Sequence, residues 1–478
     1  MDFLKQVFER IEDNKTEMLA SLSNLISVPS VAGSPKEGKP FGEEVDRAYR
    51  MMLEMAEAQG FDVFDADGYG GHFDFDGTGE GVLGIVGHLD VVPEGEGWDF
   101  EPYSGEVSHG YLLGRGTMDD KGPVVASFYA MKALKECGFE PEKTVRMILG
   151  LDEETNWAGM DYYLSKVGDR PDMGFTPDGD FPVIRAEMGI LVFDMVRKLA
   201  PSKGKGLELG KIEGGSAANS VADYARAVVT DTTGAGYDII KEMVANCRQE
   251  KGWRISCKGV GRGLEISVHG KSAHGAKPEM GENAISILMD FLGGLNFLND
   301  DVSDFIGFYN SRIGYNLHGE NVGCGLADED SGQLVFNTGM IHVDRNEARL
   351  TINIRYPVSS SAEEVYEGIM EVLDGYGIGI VKGKDQLPIN LSGDMPLVKT
   401  LMDVYRKHTG DMDSVPLVIG GGTYARAMDN IVAFGARFPG EPELGHQKNE
   451  RISVDNMMRL SKIYAEAIYE LAKAENKR

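Results

Sequence analysis

The sequence has few cysteines, no long apolar run and no apolar segment near its start. Its 478 residues include four cysteines without Cys-x-x-Cys spacing, so neither a disulfide framework nor a cysteine zinc motif is expected. No run of about 18 apolar residues occurs, which argues against a membrane span. Acids and bases are interspersed in MDFLKQVFERIEDNKTEM, which is unlike a signal peptide. We therefore expect a cytoplasmic protein with reduced thiols.

Basic residues are too few to balance the acidic ones. The chain has 48 Lys and Arg against 76 Asp and Glu, which gives a formal net charge of −28. Such a chain repels phosphates, so neither nucleic acid nor a membrane surface is an expected partner. The sequence also lacks a dinucleotide fingerprint, a serine nucleophile elbow and a phosphate-binding loop, since IGGGTYAR has neither the lysine nor the spacing.

Short apolar runs alternate with helical segments in the first and last parts of the chain. GVLGIVGHLDVV and TVRMILGLDEE read as buried strands, residues 123–137 as a helix, and residues 453–474 as a long final helix. From about residue 190 the pattern changes to α+β, with strands such as LEISVHG and ARLTINIRYPV. We therefore predict an α/β fold. A discontinuous outer domain, residues 1–189 and 391–478, has a mostly parallel sheet covered by helices on both faces, and an α+β domain, residues 190–390, is inserted into it.

Candidate metal ligands and acid–base groups stand where the predicted strands of the outer domain end. His88 and Asp90 are two residues apart and leave one face of a strand, so that Asp90 can hold the second nitrogen of a ligating imidazole. Asp119 and Asp120 are adjacent carboxylates, which repel each other unless a cation or hydrogen bonds compensate. The other candidates follow in LDEET, FTPDGDFP and ELGHQKNE: Asp152, Glu153, Glu154, Asp178 and His446.

Each candidate has an ordinary alternative when it is taken alone. Acids commonly occupy helix N-termini, Asp178 fits a turn, and a loop histidine such as His446 has no special meaning. As a set, they would converge at the carboxyl edge of a parallel sheet, where ligands bind. Imidazole and carboxylate donors suit zinc, manganese or cobalt, and one shared carboxylate would hold two ions about 3.5–4 Å apart. His72 and His109, in loop-like segments, are predicted to lie at the surface.

Six motifs in order resemble a known enzyme family across nearly the whole chain. GHLDVVP, GRGTMDDKGP, LDEET, FTPDGDFP, GKSAHGAKPEMGENA and ELGHQKNE resemble the di-zinc metallopeptidase family of aminoacylases, carboxypeptidases and succinyl-diaminopimelate desuccinylase. Within that family, IEGGSAANSVADYA, TINIRYP and IGGGTYAR are most similar to the bacterial dipeptidase (PepV) branch. The resemblance implies a catalytic metal-binding outer domain and an inserted lid domain.

The resemblance also implies a role for each matching residue. Two divalent metal ions, Zn²⁺ first with Mn²⁺ or Co²⁺ as alternatives, would share Asp119, which a cis peptide would join to Asp120. The metal ligands would be His88, Asp119, Glu154, Asp178 and His446. Glu153 would be the general base, Asp90 would orient His88, and His274 of the lid would polarise the scissile carbonyl. His269, five residues before His274, is ranked as structural.

The ends of the substrate would be bound by a further set of residues. By resemblance these are Asn219, Arg355, Gly421, Gly422 and Thr423. Arg355 lies on a probable strand, where burying an unpaired arginine is costly, so either a substrate carboxylate or an ordinary salt bridge would pair it. For Arg426 in IGGGTYAR the same two alternatives, a substrate carboxylate and an ordinary salt bridge, are both open.

The predicted function is hydrolysis of dipeptides by a metal-bridged water that Glu153 activates. The alternatives are an N-acyl amino acid amidohydrolase or carboxypeptidase of the same family and, more remotely, a non-catalytic cation-binding protein. Dimeric relatives use a shorter insert to pair their subunits. The insert of about 200 residues here therefore favours a monomer in which one chain supplies both halves of the lid.

Overall fold

The computed structural model describes residues 3–201, 204–234 and 236–473. Eleven α-helices lie within these ranges: α1 (Phe3–Asp13), α2 (Lys15–Ile26), α3 (Glu43–Ala58), α4 (Lys121–Glu136), α5 (Ala158–Lys166), α6 (Gly236–Glu250), α7 (Ala284–Gly293), α8 (Asp300–Phe308), α9 (Ala362–Leu373), α10 (Pro396–Thr409) and α11 (Val454–Ala472). None of the helices in the described part combines the length and apolarity needed to cross a bilayer.

Twenty-two β-strands lie within the same ranges, eleven of them up to Asp231 and eleven from Arg254 onward. The first eleven are β1 (Asp62–Asp65), β2 (Gly71–Phe75), β3 (Val82–His88), β4 (Val107–Ser108), β5 (Tyr111–Leu113), β6 (Thr144–Gly150), β7 (Met173–Thr176), β8 (Ile184–Glu187), β9 (Gly189–Lys198), β10 (Leu207–Gly214) and β11 (Tyr224–Asp231). The second eleven are β12 (Arg254–Val260), β13 (Gly263–His269), β14 (Ala327–Asp328), β15 (Gly332–Gln333), β16 (Val335–Val343), β17 (Glu347–Tyr356), β18 (Gly379–Gln386), β19 (Ile389–Asn390), β20 (Leu417–Ile419), β21 (Ile431–Ala433) and β22 (Arg451–Ser453).

The chain forms two compact units. Unit 1 contains the described residues up to Arg185, Leu391–Leu417 and the described residues from Gly422 onward. Unit 2 contains the described residues of Ala186–Asn390 together with Val418–Gly421. The short second segment is tied to the first by the main chain, because the Met188 N–H donates to the Ile419 carbonyl at 2.9 Å.

Unit 1 is built on a mixed sheet with a parallel centre. The strands of this sheet that lie wholly within the first part of unit 1, together with β21, follow the order β1-β2-β6-β3-β7-β21, and the four strands β6, β3, β7 and β21 run parallel to one another. Every residue of β3 is buried, as expected for a central strand that is covered on both faces. Helices α4 and α11 pack against each other and against β3, and their apolar residues form the core with α1, α2 and α10.

Unit 2 contains a separate antiparallel sheet with its own core. The order is β12-β13-β11-β10-β16-β17-β9-β18, and all neighbouring strands pair antiparallel. Buried and half-buried residues alternate along β9, so that Leu191, Phe193 and Met195 face the core. Helix α7 packs on β11 and β13 through its apolar residues. The mixed α/β class predicted from the sequence, with an α+β insertion, is confirmed.

Several local predictions can be compared directly with the structure. The predicted helix over residues 123–137 is α4, which begins two residues earlier at Lys121 and ends at Glu136. The final helix α11 ends at Ala472, and position 474 lies outside the described residues. Ser453 caps that helix as predicted, because its hydroxyl accepts the Asn456 N–H at 3.0 Å. All four cysteines are free.

The prediction that His72 lies at the surface is wrong. His72 belongs to β2, is 7% exposed, and stacks on Phe64 with 5.0 Å between ring centroids. Its Nδ1 forms a 2.8 Å hydrogen bond with the Tyr163 hydroxyl. Burial lowers the pKa of His72 from 6.5 to about 4, with a further contribution from the positive charge of Arg146 and opposition from Asp74 and Asp169. Four of the five residues of β2 are buried, so the strand has no alternating pattern by which the sequence could have indicated the burial of His72.

We expect His72 to make unit 1 less stable at mildly acidic pH. Below its unfolded pKa of 6.5 the unfolded chain binds a proton that the folded chain does not, so stability falls as pH falls from 6.5 toward about 4. At pH 5 the loss is about 2 kcal/mol, or roughly 5 °C in melting temperature. The drop in melting temperature between pH 7.5 and pH 5 should be smaller by that amount in His72→Gln, and an unchanged drop would contradict the assignment. His109→Asn, at an exposed position with φ 50°, is the matched control and should keep the parent slope.

Candidate metal centre

The predicted ligands of unit 1 stand at the carboxyl ends of neighbouring parallel strands. His88 is the last residue of β3, Glu153 and Glu154 follow the end of β6, and Asp178 follows the end of β7. Asp119 precedes α4, and His446 lies in the connection between β21 and β22. Because β6, β3 and β7 are adjacent and parallel, their carboxyl ends share one edge of the sheet, and the side chains that follow them are brought together there.

Four short distances connect these side chains around Asp119. His88 Nε2 lies 3.0 Å from Asp119 Oδ1 and 3.7 Å from Asp178 Oδ2. His446 Nε2 lies 3.0 Å from Asp119 Oδ2 and 2.8 Å from Glu154 Oε1. The two oxygens of the Asp119 carboxylate thus contact two different histidines. The result is two three-residue donor sets that share one carboxylate.

The backbone around Asp119 is shaped to present its side chain. The predicted cis peptide between Asp119 and Asp120 is confirmed. Asp120 is fully buried, and its Oδ2 accepts the main-chain N–H of His88 at 3.1 Å. The turn into α4 requires glycine at position 122, since a Cβ there would lie 2.0 Å from the Thr117 carbonyl oxygen. His446 adopts a φ of 60°, in the left-handed region that non-glycine residues seldom occupy.

Asp90 contacts His88 and also supports the loop that follows β6. The Nδ1 atom of His88 is 3.0 Å from the main-chain oxygen of Asp90 and 3.5 Å from its carboxylate. The two carboxylate oxygens accept the main-chain N–H groups of Glu153 at 3.2 Å and Glu154 at 3.0 Å. The sequence analysis paired the Asp90 side chain with His88, whereas the shorter contact of Nδ1 is with the main-chain oxygen, and it did not predict the hydrogen bonds to Glu153 and Glu154. Asp90 therefore couples the histidine on β3 to the two glutamates after β6.

Burial and mutual repulsion raise the pKa values of three carboxylates of the cluster, whereas hydrogen bonds between imidazole and carboxylate groups set the pKa of His446. Burial raises the pKa of Asp178 to about 7, and the negative charge of Asp119 adds to this effect. Burial also raises the pKa of Glu153 and of Glu154. The His446 side chain is 51% exposed, and its partial burial lowers its pKa, but hydrogen bonds to Asp119 and Glu154 outweigh this effect and raise the pKa to about 11. Most of these carboxylates are half-buried, and carboxylates in excess at such a site are the environment that a divalent cation stabilises.

The donor atoms fit divalent cations in chemistry and in spacing. Zn²⁺ binds imidazole nitrogens and carboxylate oxygens at about 2 Å, so donors to one ion lie within about 4 Å of each other. All four distances around Asp119 meet this limit. His88, Glu153 and Asp178 also place one donor atom each within 4.8 Å of one another, as do His88, Asp119 and Glu154. Glu153 is therefore near enough to be a ligand, a point that bears on its predicted role as a base.

The other predicted site residues belong mainly to unit 2, where they lie in loops and near the end of one strand. The Asn219 carbonyl accepts the Gly275 N–H at 2.7 Å, and Ser220 forms an isolated antiparallel bridge with His274. Arg355, at the end of β17, is 4% exposed. A Cβ at Gly420, the residue before Gly421, would lie 3.8 Å from the Arg355 side chain and 3.4 Å from the Cβ of Ala276.

The remaining candidates have local roles. His269 ends β13, is exposed, and its ring contacts that of Tyr224 at 5.0 Å, a cross-strand pair. Gly422 and Thr423 belong to unit 1. The Thr423 hydroxyl accepts the Ala425 N–H at 3.1 Å and so caps a short 3₁₀ turn that includes Arg426.

Two residues that the sequence analysis did not single out support the centre. Tyr424 is buried, lies edge-on to the His88 ring at 6.3 Å, and occupies the space that a Cβ at Gly150 would take. Glu450 is buried and accepts the main-chain N–H of Asp119 at 3.2 Å. Tyr424 lies in IGGGTYAR and Glu450 in ELGHQKNE. In both cases the sequence could have indicated a role only because a polar residue lies within a motif that contains other candidate site residues.

Comparison with known proteins gives consistent matches over most of the chain. The family model described as "Peptidase family M20/M25/M40" matches residues 84–470. "Putative dipeptidase" of Staphylococcus epidermidis (strain ATCC 12228 / FDA PCI 1200) is 37% identical over 471 residues, 97% of this chain and 98% of the relative. "Putative dipeptidase YtjP" of Bacillus subtilis (strain 168) is 36% identical over 464 residues, 96% of this chain and 98% of the relative.

A solved structure extends the likeness to the fold. The crystal structure of human carnosine dipeptidase 1 matches with a TM-score of 0.57 and 15% identity, and the match covers 99% of each chain. At this identity the likeness concerns the fold alone.

Proposed function

The chain belongs to peptidase family M20/M25/M40 and is a hydrolytic peptidase, and we propose that it hydrolyses dipeptides with the help of two divalent cations, Zn²⁺ first among them. The observation that carries the proposal is the position of Asp119, whose two carboxylate oxygens each lie 3.0 Å from a different histidine. The dipeptidase names of relatives that are 36–37% identical support the substrate class.

The contacts around Asp119 support one distribution of the residues between the two cations. His88 and Asp178 would bind one ion, Glu154 and His446 would bind the other, and Asp119 would bind both. When bound, the two cations would polarise the peptide carbonyl and lower the pKa of a water between them. Asp90 would keep His88 and the loop of Glu153 and Glu154 in fixed relation through the hydrogen bonds described above.

Glu153 and His274 would carry the proton transfer and the charge stabilisation. Glu153 would take the proton of the attacking water and return it to the amine that leaves, which is general acid–base catalysis by one carboxylate. His274 would donate a hydrogen bond to the carbonyl oxygen, where negative charge develops in the transition state. The proposal is supported by the contact of the His274 Nδ1, which accepts the Ala276 N–H at 3.2 Å and so leaves Nε2 as the nitrogen that can donate.

The two ends of a dipeptide would be recognised by opposite charges. Carboxylates of unit 1 suit the free amine, and Arg355, Asn219 and the Gly421–Gly422–Thr423 segment suit the free carboxylate. Recognition of both ends across one peptide bond would exclude longer peptides. We propose accordingly that unit 1 is the catalytic domain, that unit 2 is its lid, and that the chain works as a cytoplasmic monomer.

The substrate class is tested with purified protein and a panel of substrates. We expect turnover of free dipeptides, little turnover of tripeptides or N-acetylated amino acids, and loss of activity with a chelator that is reversed by Zn²⁺ or Mn²⁺. Metal analysis of the same sample should give two divalent ions per chain. Hydrolysis of N-acetylated amino acids without hydrolysis of dipeptides would instead identify an amidohydrolase, and activity that survives full chelation would contradict the metal centre.

A further inference from the structure

Glu450 is a buried carboxylate that contacts the loop preceding Asp119 at several points. It is 0% exposed and lies just before β22, four residues after His446. One of its oxygens, Oε1, accepts hydrogen bonds from three main-chain N–H groups of this loop: Gly116 at 3.1 Å, Met118 at 2.8 Å and Asp119 at 3.2 Å. Its other oxygen, Oε2, accepts a hydrogen bond from Arg115 Nη1 at 2.7 Å.

Arg115 extends this contact to the segment that carries His446. Its guanidinium is 2% exposed, and the Nη1 atom that binds Glu450 also donates to the Gln447 carbonyl at 3.1 Å. The guanidinium carbon lies 5.2 Å from the Trp98 ring centroid, which adds a cation–π contact. The pair therefore joins two chain segments, residues 115–119 and 446–450, through charge-assisted hydrogen bonds between two buried side chains.

The geometry of the candidate metal centre depends on these two segments. Asp119 supplies the carboxylate that both donor sets share, and His446 belongs to one of them. No hydrogen bond from Glu450 reaches a predicted ligand side chain in the described residues, since its partners are main-chain N–H groups and Arg115. Glu450 thus acts on the backbone that aims Asp119 and has no direct part in ligation.

We infer that Glu450, paired with Arg115, is a positioning residue that sets where the Asp119 carboxylate stands relative to His446 and so controls cation affinity. This inference rests on the proposed metal centre. A carboxylate is required because three N–H donors and a guanidinium converge on it, and an amide would present its NH₂ group to some of these donors. Partners that orient ligands in this way are typically worth about 10–100-fold in metal affinity.

The alternative is that Glu450 stabilises the fold without influence on the centre, and a matched variant separates the two. Glu466 is also a buried carboxylate of unit 1, 3% exposed, and it pairs with His408 and Lys407 on α10. Glu466→Gln therefore removes a buried ion pair that touches none of the ligand segments. It should lower the melting temperature and leave cation affinity within about twofold of the parent.

The experiment titrates the metal-free full chain with Zn²⁺ and with Mn²⁺ by calorimetry, without substrate and below the melting temperature of every variant. We expect Glu450→Gln to bind cations about 10–100-fold more weakly than the parent. Glu450→Asp keeps the charge but is too short to reach all four donors, so its cation affinity should lie between those of the parent and Glu450→Gln. This variant replaces Glu450→Gln in the test if Glu450→Gln does not fold. Parent-like affinity in the folded variant, or an equal loss in Glu466→Gln, would overturn the inference. A parent chain that binds no cation would refute the proposed metal centre itself, which is a different result.

Discussion

Glu153→Gln is expected to lower kcat by about 10²–10⁴-fold while two cations per chain remain bound. Glutamine keeps the shape of the side chain but cannot take a proton from water at neutral pH. The backbone at this position does not depend on the carboxylate, because the Glu153 N–H donates to Asp90 and the Glu153 carbonyl accepts the Trp157 indole N–H at 2.8 Å. The substitution should therefore remove a proton acceptor and leave the loop in place.

The measured metal content decides between two roles for Glu153. Its carboxylate has a donor atom within 4.8 Å of donors from His88 and Asp178, so a ligand role is sterically open. If Glu153 is the general base, Glu153→Gln should have a low kcat and retain two cations. If Glu153 is a ligand, the variant should lose one cation or bind it more weakly. Metal content by atomic emission and kcat with a dipeptide should be measured on the same sample. Glu140→Gln, at an exposed position of unit 1, is the control and should match the parent in both, and near-parent turnover in Glu153→Gln would rule out the base.

The parts of the fold that follow local periodicity could be predicted from the sequence. An unbroken apolar run such as β3 is typical of a strand buried on both faces, and polar residues directly after such runs mark the carboxyl edge of a parallel sheet. His88 and Asp178 were placed by this reasoning, and the structure brings their side chains to within 3.7 Å. The helix α11 followed from its 3.6-residue pattern and its cap at Ser453.

Contacts between distant segments could not be predicted in this way. Glu450 and Asp119 are 331 residues apart, and no periodic signal relates them. The hydrogen bonds from Glu153 and Glu154 to Asp90 involve main-chain N–H groups, which every residue except proline has, so residue type carries almost no information about them. His72 was misplaced because its burial depends on Phe64 and on Tyr163, which lies on a helix 91 residues away. The outer parts of the site are thus determined by tertiary packing and not by local pattern.

Asp119→Asn is expected to weaken the binding of both cations, each by more than about 100-fold, which exceeds the usual effect of an outer partner. The asparagine has the same shape but only one oxygen and no charge, so it can no longer present an anionic donor to the side of His88 and to the side of His446 at once. The parent carboxylate lies 3.0 Å from both imidazoles. Because both ions depend on this one group, metal content should fall from two toward zero and dipeptide turnover should fall with it.

Variants at two nearby aspartates make the test specific to a shared ligand. Asp178 lies 3.7 Å from His88 Nε2, whereas His446 contacts Asp119 and Glu154, so Asp178→Asn should weaken one cation and leave the other bound. Asp180, two residues on, forms a two-point ion pair with Arg437 at 2.6 and 2.7 Å, and Asp180→Asn should retain both cations. Calorimetry resolves the two binding events, and circular dichroism verifies that each variant is folded. If Asp119→Asn kept one cation at parent affinity, as Asp178→Asn is expected to do, Asp119 would belong to a single site, and the two histidines would contact its carboxylate without sharing it between two ions.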